Sequence, residues 1–279
     1  MVREKVAFQG ERGAYGEMAT LQCFPNAELV PMKSFDDVFD SMESSKVDFA
    51  VIPVENSIEG SINETYDLLL QTNMVVSGEI YQRVKHCLIV NKHANSIKSA
   101  YSHSQALAQC RNYLQKKKLE PIPIYDTAGA VKMLKERKIM NGAAIAGRRA
   151  AEIYGMEILE EGIEDKKNNF TRFLILSKAK TITKPTCHDR TSMIFSVEHI
   201  PGALFGILQE FAYRKINLTK IESRPTKEAP WEYNFYVDFE GHASDETVKE
   251  ALQSIKKKTA FFKILGSYKR AEFTHLMSS

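Results

Sequence analysis

The chain has 279 residues, 43% hydrophobic and 26% charged, with a formal net charge of +3, a balance ordinary for a globular protein in water. Much of the positive excess sits in two lysine runs, residues 116–118 and 256–258, each at the end of an expected helix, where cations complement the helix dipole. No aromatic residues interleave with these lysines to stack on bases, so nucleic acid is not an expected partner. Cys23, Cys87, Cys110 and Cys187 show no C-x-x-C spacing, which argues against a structural zinc site or a small disulfide framework and suits free thiols in a reducing compartment. MVREKVAFQG moves straight into a strand, and no apolar run approaches the ~20 residues of a membrane span. The expected location is cytoplasmic, with no membrane partner.

The length suits two domains, or one large and one small. From residue 5, short apolar runs alternate with helical patterns. KVAFQG, ELVPM, DFAVIPV, KSAYSH and PIPIYD predict strands; FDDVFDSMESS and TAGAVKMLKERK predict helices. This alternation means an α/β domain with a largely parallel sheet, whose ligands bind beyond the carboxyl ends of the strands. MVVSGEIYQRVKHCLIV carries two strand-like runs without a helix and reads as a crossover between two lobes. After Ser177 the polar KAKTITKPTCHD reads as a linker.

Beyond this linker the pattern changes. RTSMIFSVEH predicts a strand, and PGALFGILQEFAYRK a helix with Pro201 near its start and Leu204, Ile207, Leu208 and Phe211 on one face. NLTKIESRP and WEYNFYVDFEG predict strands, SDETVKEALQSIKKK a second amphipathic helix, and FFKILGSYKR a last strand. The order βαββαβ is the ferredoxin-like split motif. The expected organisation is an α/β domain over residues 1–183, with lobes of roughly 1–78 plus 168–183 and 79–167, and a second domain over 190–279.

Four junctions carry more polar chemistry than a fold needs. In QGERGAYGEMA, Gly10, Gly13 and Gly16 stand between a strand and a helix. The spacing is not the dinucleotide fingerprint and the phosphate-loop lysine is absent, leaving a tight turn or a close approach of backbone N–H groups to an anion. In VIPVENSIEGSINETYDLLL, Ser61 and Glu64 have capping-box spacing. A helix starting near Ser61 leaves Glu55, Asn56 and Ser57, a carboxylate, an amide and a hydroxyl, in the loop beyond the strand. In AYSHSQALAQCRNYL, Ser102 ends a strand, Ser104 is placed to cap a helix, and Gln105 and Gln109 lie one turn apart; His103 reads equally as a loop residue or a catalytic one. In NNFTRFLIL, two amides, a threonine and an arginine precede a buried strand. Alternation puts Thr171 and Phe173 on one face and Arg172 on the other. Burial of an unpaired guanidinium is costly, so Arg172 needs a carboxylate partner or a route to water.

Taken in order, GERGAYGEMA, VIPVENSIEGSINETYDLL, YSHSQALAQC, AAIAGRRAAEIYG and NNFTRF resemble the motifs of prephenate dehydratases, and the C-terminal GALF and ESRP resemble the phenylalanine-binding motifs of their ACT regulatory domain. The resemblance covers nearly the whole chain. It implies a two-lobed catalytic domain, similar to the type II periplasmic-binding-protein fold, with the active site in the cleft, plus a ferredoxin-like ACT domain. The implied reaction turns prephenate into phenylpyruvate with loss of carbon dioxide and water, using no cofactor or metal. Carried over by position, the family's catalytic groups fall on Thr171, Glu55, Asn56, Ser102 and Gln109, with Arg172, Phe173 and Ser57 at the substrate. Thr171 as hydrogen-bond donor to the departing hydroxyl and a protonated Glu55 are alternative sources of the proton, and Arg172 either offsets substrate charge or forms a structural ion pair. Gly16 stands where the family often has serine or threonine. The implied L-phenylalanine site uses Gly202, Ala203, Leu204, Asn217, Leu218, Glu222, Ser223, Arg224 and Pro225. ACT domains usually pair, so a homodimer or homotetramer is expected. Arogenate dehydratase and a non-catalytic amino-acid sensor are the competing readings.

Overall fold

The structure, a computed structural model, describes residues 3–178, 183–227 and 231–272; residues 179–182 of the expected linker lie outside the described residues. In chain order the elements are β1 (Lys5–Gln9), α1 (Tyr15–Cys23), β2 (Glu28–Met32), α2 (Phe35–Glu43), β3 (Phe49–Asn56), β4 (Gly60–Ser61), α3 (Asn63–Gln71), β5 (Val75–Arg83), β6 (Cys87–Val90), β7 (Ser99–Ser102), α4 (Ser104–Gln109) and α5 (Arg111–Lys117). Next come β8 (Glu120–Pro123), α6 (Thr127–Glu136), β9 (Gly142–Ala146), α7 (Arg148–Tyr154), β10 (Glu157–Glu161), β11 (Phe170–Ser177), β12 (Asp189–Ser196), α8 (Ala203–Tyr213), β13 (Leu218–Pro225), β14 (Tyr233–Glu240), α9 (Glu246–Lys256) and β15 (Phe261–Lys269).

One sheet runs β2-β1-β3-β11-β5, with β4 beside β3, and a second runs β10-β6-β9-β7-β8. The pairs β1–β2, β1–β3, β7–β8 and β7–β9 are parallel, while β6 joins β9 and β10 antiparallel. The step from β5 to β6, with no helix between them, carries the chain from one sheet to the other. In the second sheet Ile89 and Ala144 pack with Val131 and Leu134 of α6. Leu88, Val90, Ala143 and Ile145 face the opposite way, toward Leu107 and Leu114 of α4 and α5. Helices on both faces explain why CLIV and GAAIA are apolar at nearly every position instead of alternating.

The chain divides into two compact units, residues 1–68 with 80–173 and residues 69–79 with 174–278. Within the second unit Arg190 of β12 bonds Glu79 of β5 at 2.6 Å, with the Glu79 side chain wholly buried, and Lys263 of β15 donates to the carbonyls of Leu69 (3.1 Å) and Leu70 (2.8 Å) at the end of α3. A buried carboxylate needs its cation, and the last carbonyls of a helix need donors. These two needs tie residues 69–79 to the C-terminal half. The rest of that unit is an antiparallel sheet in the order β13-β14-β12-β15 under α8 and α9, the ferredoxin-like arrangement expected. Its core joins Met193, Phe195, Ile207, Phe211, Val237, Phe239 and Leu252.

Two helix starts differ from expectation. Ser61 pairs with Glu55 in β4, and α3 begins at Asn63, two residues beyond it. The cause is Asn56, whose Oδ1 accepts from the N–H groups of Ile58 (3.0 Å) and Glu59 (3.1 Å) and turns the chain back on itself before the helix can start. The cap of α4 is not Ser104 but His103, whose Nδ1 accepts from Gln105 N–H at 3.3 Å.

Candidate active site

The first unit carries an open cavity of about 470 Å³, beyond the carboxyl ends of strands as a doubly wound sheet predicts. Gln9 and Asn56 come from the ends of β1 and β3, and His103, Tyr125 and Asp126 from the loops after β7 and β8. Tyr15 and Gly16 open α1, and Thr171 and Phe173 come from β11. Gly13 lets the glycine-rich loop come this close: its φ is +92°, and a Cβ there would lie 2.7 Å from the Cα of Ala150 in α7. Gly16 is also confined, since a Cβ would sit 3.0 Å from the carbonyl of Gln9.

Asn56 is the centre of the polar lining. Its oxygen is committed to the turn, so its Nδ2 faces Asn169 Oδ1 at 2.8 Å, the Phe170 carbonyl at 3.2 Å and Thr171 Oγ1 at 3.1 Å. Thr171 Oγ1 thereby accepts from an amide, which leaves its own O–H to donate elsewhere. Asn169 Nδ2 donates to Gln109 Oε1 at 2.8 Å. The same oxygen lies 3.0 Å from His86 Nε2, whose other ring nitrogen is 3.2 Å from the Tyr15 hydroxyl. Burial lowers the His86 pKa, against the opposing effects of Gln109 and Glu164, and raises that of Tyr15 well above the ordinary phenol range. Asp126, which caps α6 by accepting from Gly129 N–H at 2.6 Å, has its pKa raised by burial although that hydrogen bond opposes the shift.

The residues expected at the site thus divide. Asn56, Gln109, Thr171 and Phe173 line the cavity, as do Gln105 and His103. Ser102 does not: its side chain is fully buried and its hydroxyl donates to the Ile145 carbonyl at 2.6 Å. Glu55 and Arg172 point to the other face of their strands and pair at 3.9 Å, with the Arg172 side chain only 6% exposed. Neither Glu55 nor Arg172 is among the residues lining the cavity. Ser57 fastens the loop after β3 to β11, accepting from Phe170 N–H at 3.0 Å and donating to the Asn168 carbonyl at 3.1 Å. Tyr15, His86, Asn169 and Asp126 were not singled out from the sequence. Asn169 stood in the NNFTRF stretch, whereas nothing local marks His86 or Tyr15.

In the second unit Gly202 precedes α8 with φ +83°, and Ala203 and Leu204 line a cavity of about 120 Å³ with Ile200, Trp231, Tyr233 and Phe235. Ala203 N–H already donates to the Ile200 carbonyl at 3.2 Å. Asn217, Leu218, Glu222, Ser223, Arg224 and Pro225 lie along or just before β13, an edge strand, and do not line this cavity.

The family described as prephenate dehydratase matches residues 6–181. The chain belongs to the prephenate dehydratase family. The ACT domain matches residues 191–257, so the expected pairing of a two-lobed, type II periplasmic-binding-protein-like catalytic part with a ferredoxin-like ACT domain holds. A relative from Arabidopsis thaliana, arogenate dehydratase/prephenate dehydratase 2 (chloroplastic), is 44% identical over 95% of this chain and 73% of its own length. The prephenate dehydratase from Arthrobacter aurescens, solved with L-Phe, superposes with a TM-score of 0.88 at 30% identity, covering 96% of this chain and 90% of that one. A protein described as a quorum-quenching acylase, GqqA, gives 0.90 at 31% identity, covering 97% and 99%. Among the described residues, no helix of this prephenate dehydratase family member is long and apolar enough to cross a membrane.

Proposed function

We propose that the chain is a prephenate dehydratase, which converts prephenate to phenylpyruvate and is inhibited by L-phenylalanine through its ACT domain. The observation that carries this reading is the Thr171 hydroxyl, held by Asn56 as acceptor and therefore open as a donor into the cavity. In the reaction the bond from the ring to its carboxylate breaks to release carbon dioxide, and its electron pair enters the ring. The ring hydroxyl departs and takes up a proton to leave as water. A threonine hydroxyl is not acidic near neutral pH, so Thr171 acts by hydrogen bonding to the departing oxygen and relaying a proton. Phe35, Ile62, Val84 and Phe173 provide apolar wall, beside which the ring carboxylate is poorly solvated and more readily lost. An acylase would need a base to activate Thr171 as nucleophile, and the partner it has is an amide.

Arogenate is the second reading. Among the described lining residues Glu64 and Asp126 are carboxylates and none is lysine or arginine, a setting that suits an ammonium group on the substrate. The kcat/KM of the purified protein on prephenate and on arogenate decides between them, and a folded protein that turns over neither contradicts the proposal. L-Phenylalanine is assigned to the region from Gly202 to Leu204 and to residues 217–225, with an exposed edge strand that suits a homodimer or homotetramer. The free cysteines suit a reducing, cytoplasmic setting.

A further inference from the structure

His86 stands between β5 and β6, 2% exposed, with both ring nitrogens facing polar partners. The direction of each hydrogen bond around it is set by Asn56. Because the Asn56 oxygen accepts from Ile58 and Glu59, its amide nitrogen faces Asn169. Asn169 must then offer its oxygen to Asn56 and its nitrogen to Gln109. Gln109 therefore presents its oxygen to Asn169 and to His86 alike, and its nitrogen lies 3.4 Å from Glu59. An oxygen facing His86 Nε2 requires a proton on that nitrogen. A neutral ring then carries a bare Nδ1, which accepts from Tyr15, whose single hydrogen is shared with the Lys85 carbonyl 2.8 Å away.

We propose that His86 is a positioning residue for the reaction: in the tautomer set by the Gln109 oxygen, its Nε2–H is the second donor that holds the Gln109 side chain and, through Asn169 and Asn56, steadies the Thr171 hydroxyl facing the departing group. His86 touches the cavity wall, but its part is exercised through Gln109, the single acceptor at which the imidazole and Asn169 meet. Without the imidazole donor Gln109 keeps its bonds to Asn169 and Glu59, but its oxygen loses one of its two donors, and the polar chain ending at Thr171 is held less tightly. Hydroxyl aim matters because misplacement by about 1 Å costs on the order of a hundredfold in rate.

This inference rests on the dehydratase reading, and its test separates the two. His86→Met keeps the bulk without a donor, whereas His86→Gln places an amide N–H near the position of Nε2. The expected result is a kcat lower by about tenfold or more in His86→Met, KM within about threefold, and recovery of most of the loss in His86→Gln. Should the methionine variant fail to fold, Tyr15→Phe removes the hydroxyl that faces His86 Nδ1, loosens the imidazole and lowers kcat several-fold. Nitrogen-15 NMR of the unsubstituted protein reads the tautomer without any turnover, and Nε2–H with bare Nδ1 is expected. An Nδ1–H tautomer, or equal kcat in the methionine and glutamine variants beside an active parent, overturns the role of His86. Absence of turnover in the parent overturns the dehydratase reading instead, and the NMR result still decides the tautomer.

Discussion

Replacing Thr171 with valine removes one hydroxyl while keeping shape and strand propensity at the head of β11. The structural cost is small. Asn56 Nδ2 loses the acceptor at 3.1 Å but keeps Asn169 Oδ1 at 2.8 Å and the Phe170 carbonyl at 3.2 Å, which are enough for its two hydrogens. The loss is at most one net hydrogen bond, no more than about 1 kcal/mol, or a fall in Tm of at most roughly 2–4 °C for a chain of this size. The catalytic cost is larger, because the contact is made to an oxygen that gains charge as it leaves. Loss of such a donor lowers turnover by roughly a hundredfold, equivalent to about 2.7 kcal/mol of barrier. Steady-state formation of phenylpyruvate from prephenate, measured beside a melting curve, separates the two costs. Thr171→Ser retains the hydroxyl and keeps turnover within about tenfold of the parent. Near-parental kcat in Thr171→Val refutes the assignment.

Arg190→Met leaves the Glu79 carboxylate buried without its cation and lowers stability by roughly 3–5 kcal/mol, read from denaturant midpoints; a loss below about 1 kcal/mol removes the pair as the tie between residues 69–79 and the C-terminal half. His86 also predicts a pH dependence. Its folded pKa lies below the ordinary 6.5, so between those two values the unfolded chain binds a proton that the folded chain does not. Stability contributed at this site falls as pH drops below about 6.5 and is lost once the folded pKa is passed, a slope that denaturant titrations should find missing from His86→Gln. L-Phenylalanine binds the parent in calorimetry and binds Gly202→Val far more weakly, since valine disfavours the φ of +83° that opens α8; equal affinity moves the effector site elsewhere.

Much of the fold was legible because its signals are local. Apolar runs between turn residues marked the strands, and the change to βαββαβ grammar marked the second sheet. Period-2 alternation also placed Thr171 and Phe173 together and turned Arg172 away, as the cavity lining and the Glu55 pair show. What was illegible depends on pairings between distant segments. Ser102 ends its strand as expected, but whether its hydroxyl reaches a ligand or the Ile145 carbonyl depends on the neighbouring strand, 43 residues away. His86 and Tyr15 are 71 residues apart and meet because the step from β5 to β6 passes beside the glycine-rich loop. Residues 69–79 gave no sign of belonging with the C-terminal half, because their partners, Arg190 and Lys263, lie more than a hundred residues downstream. The short β4 pairing of Ser61 with Glu55 was illegible too, because it follows from the turn that Asn56 makes with Ile58 and Glu59.

The most direct test is product stoichiometry. The purified chain is incubated with prephenate at neutral pH beside a protein-free control, and carbon dioxide and phenylpyruvate are counted together. One of each per prephenate consumed, at a rate well above the control and suppressed by L-phenylalanine, is the predicted result. A folded protein that leaves prephenate and arogenate at the protein-free rate would contradict the assignment of this cavity to decarboxylative dehydration.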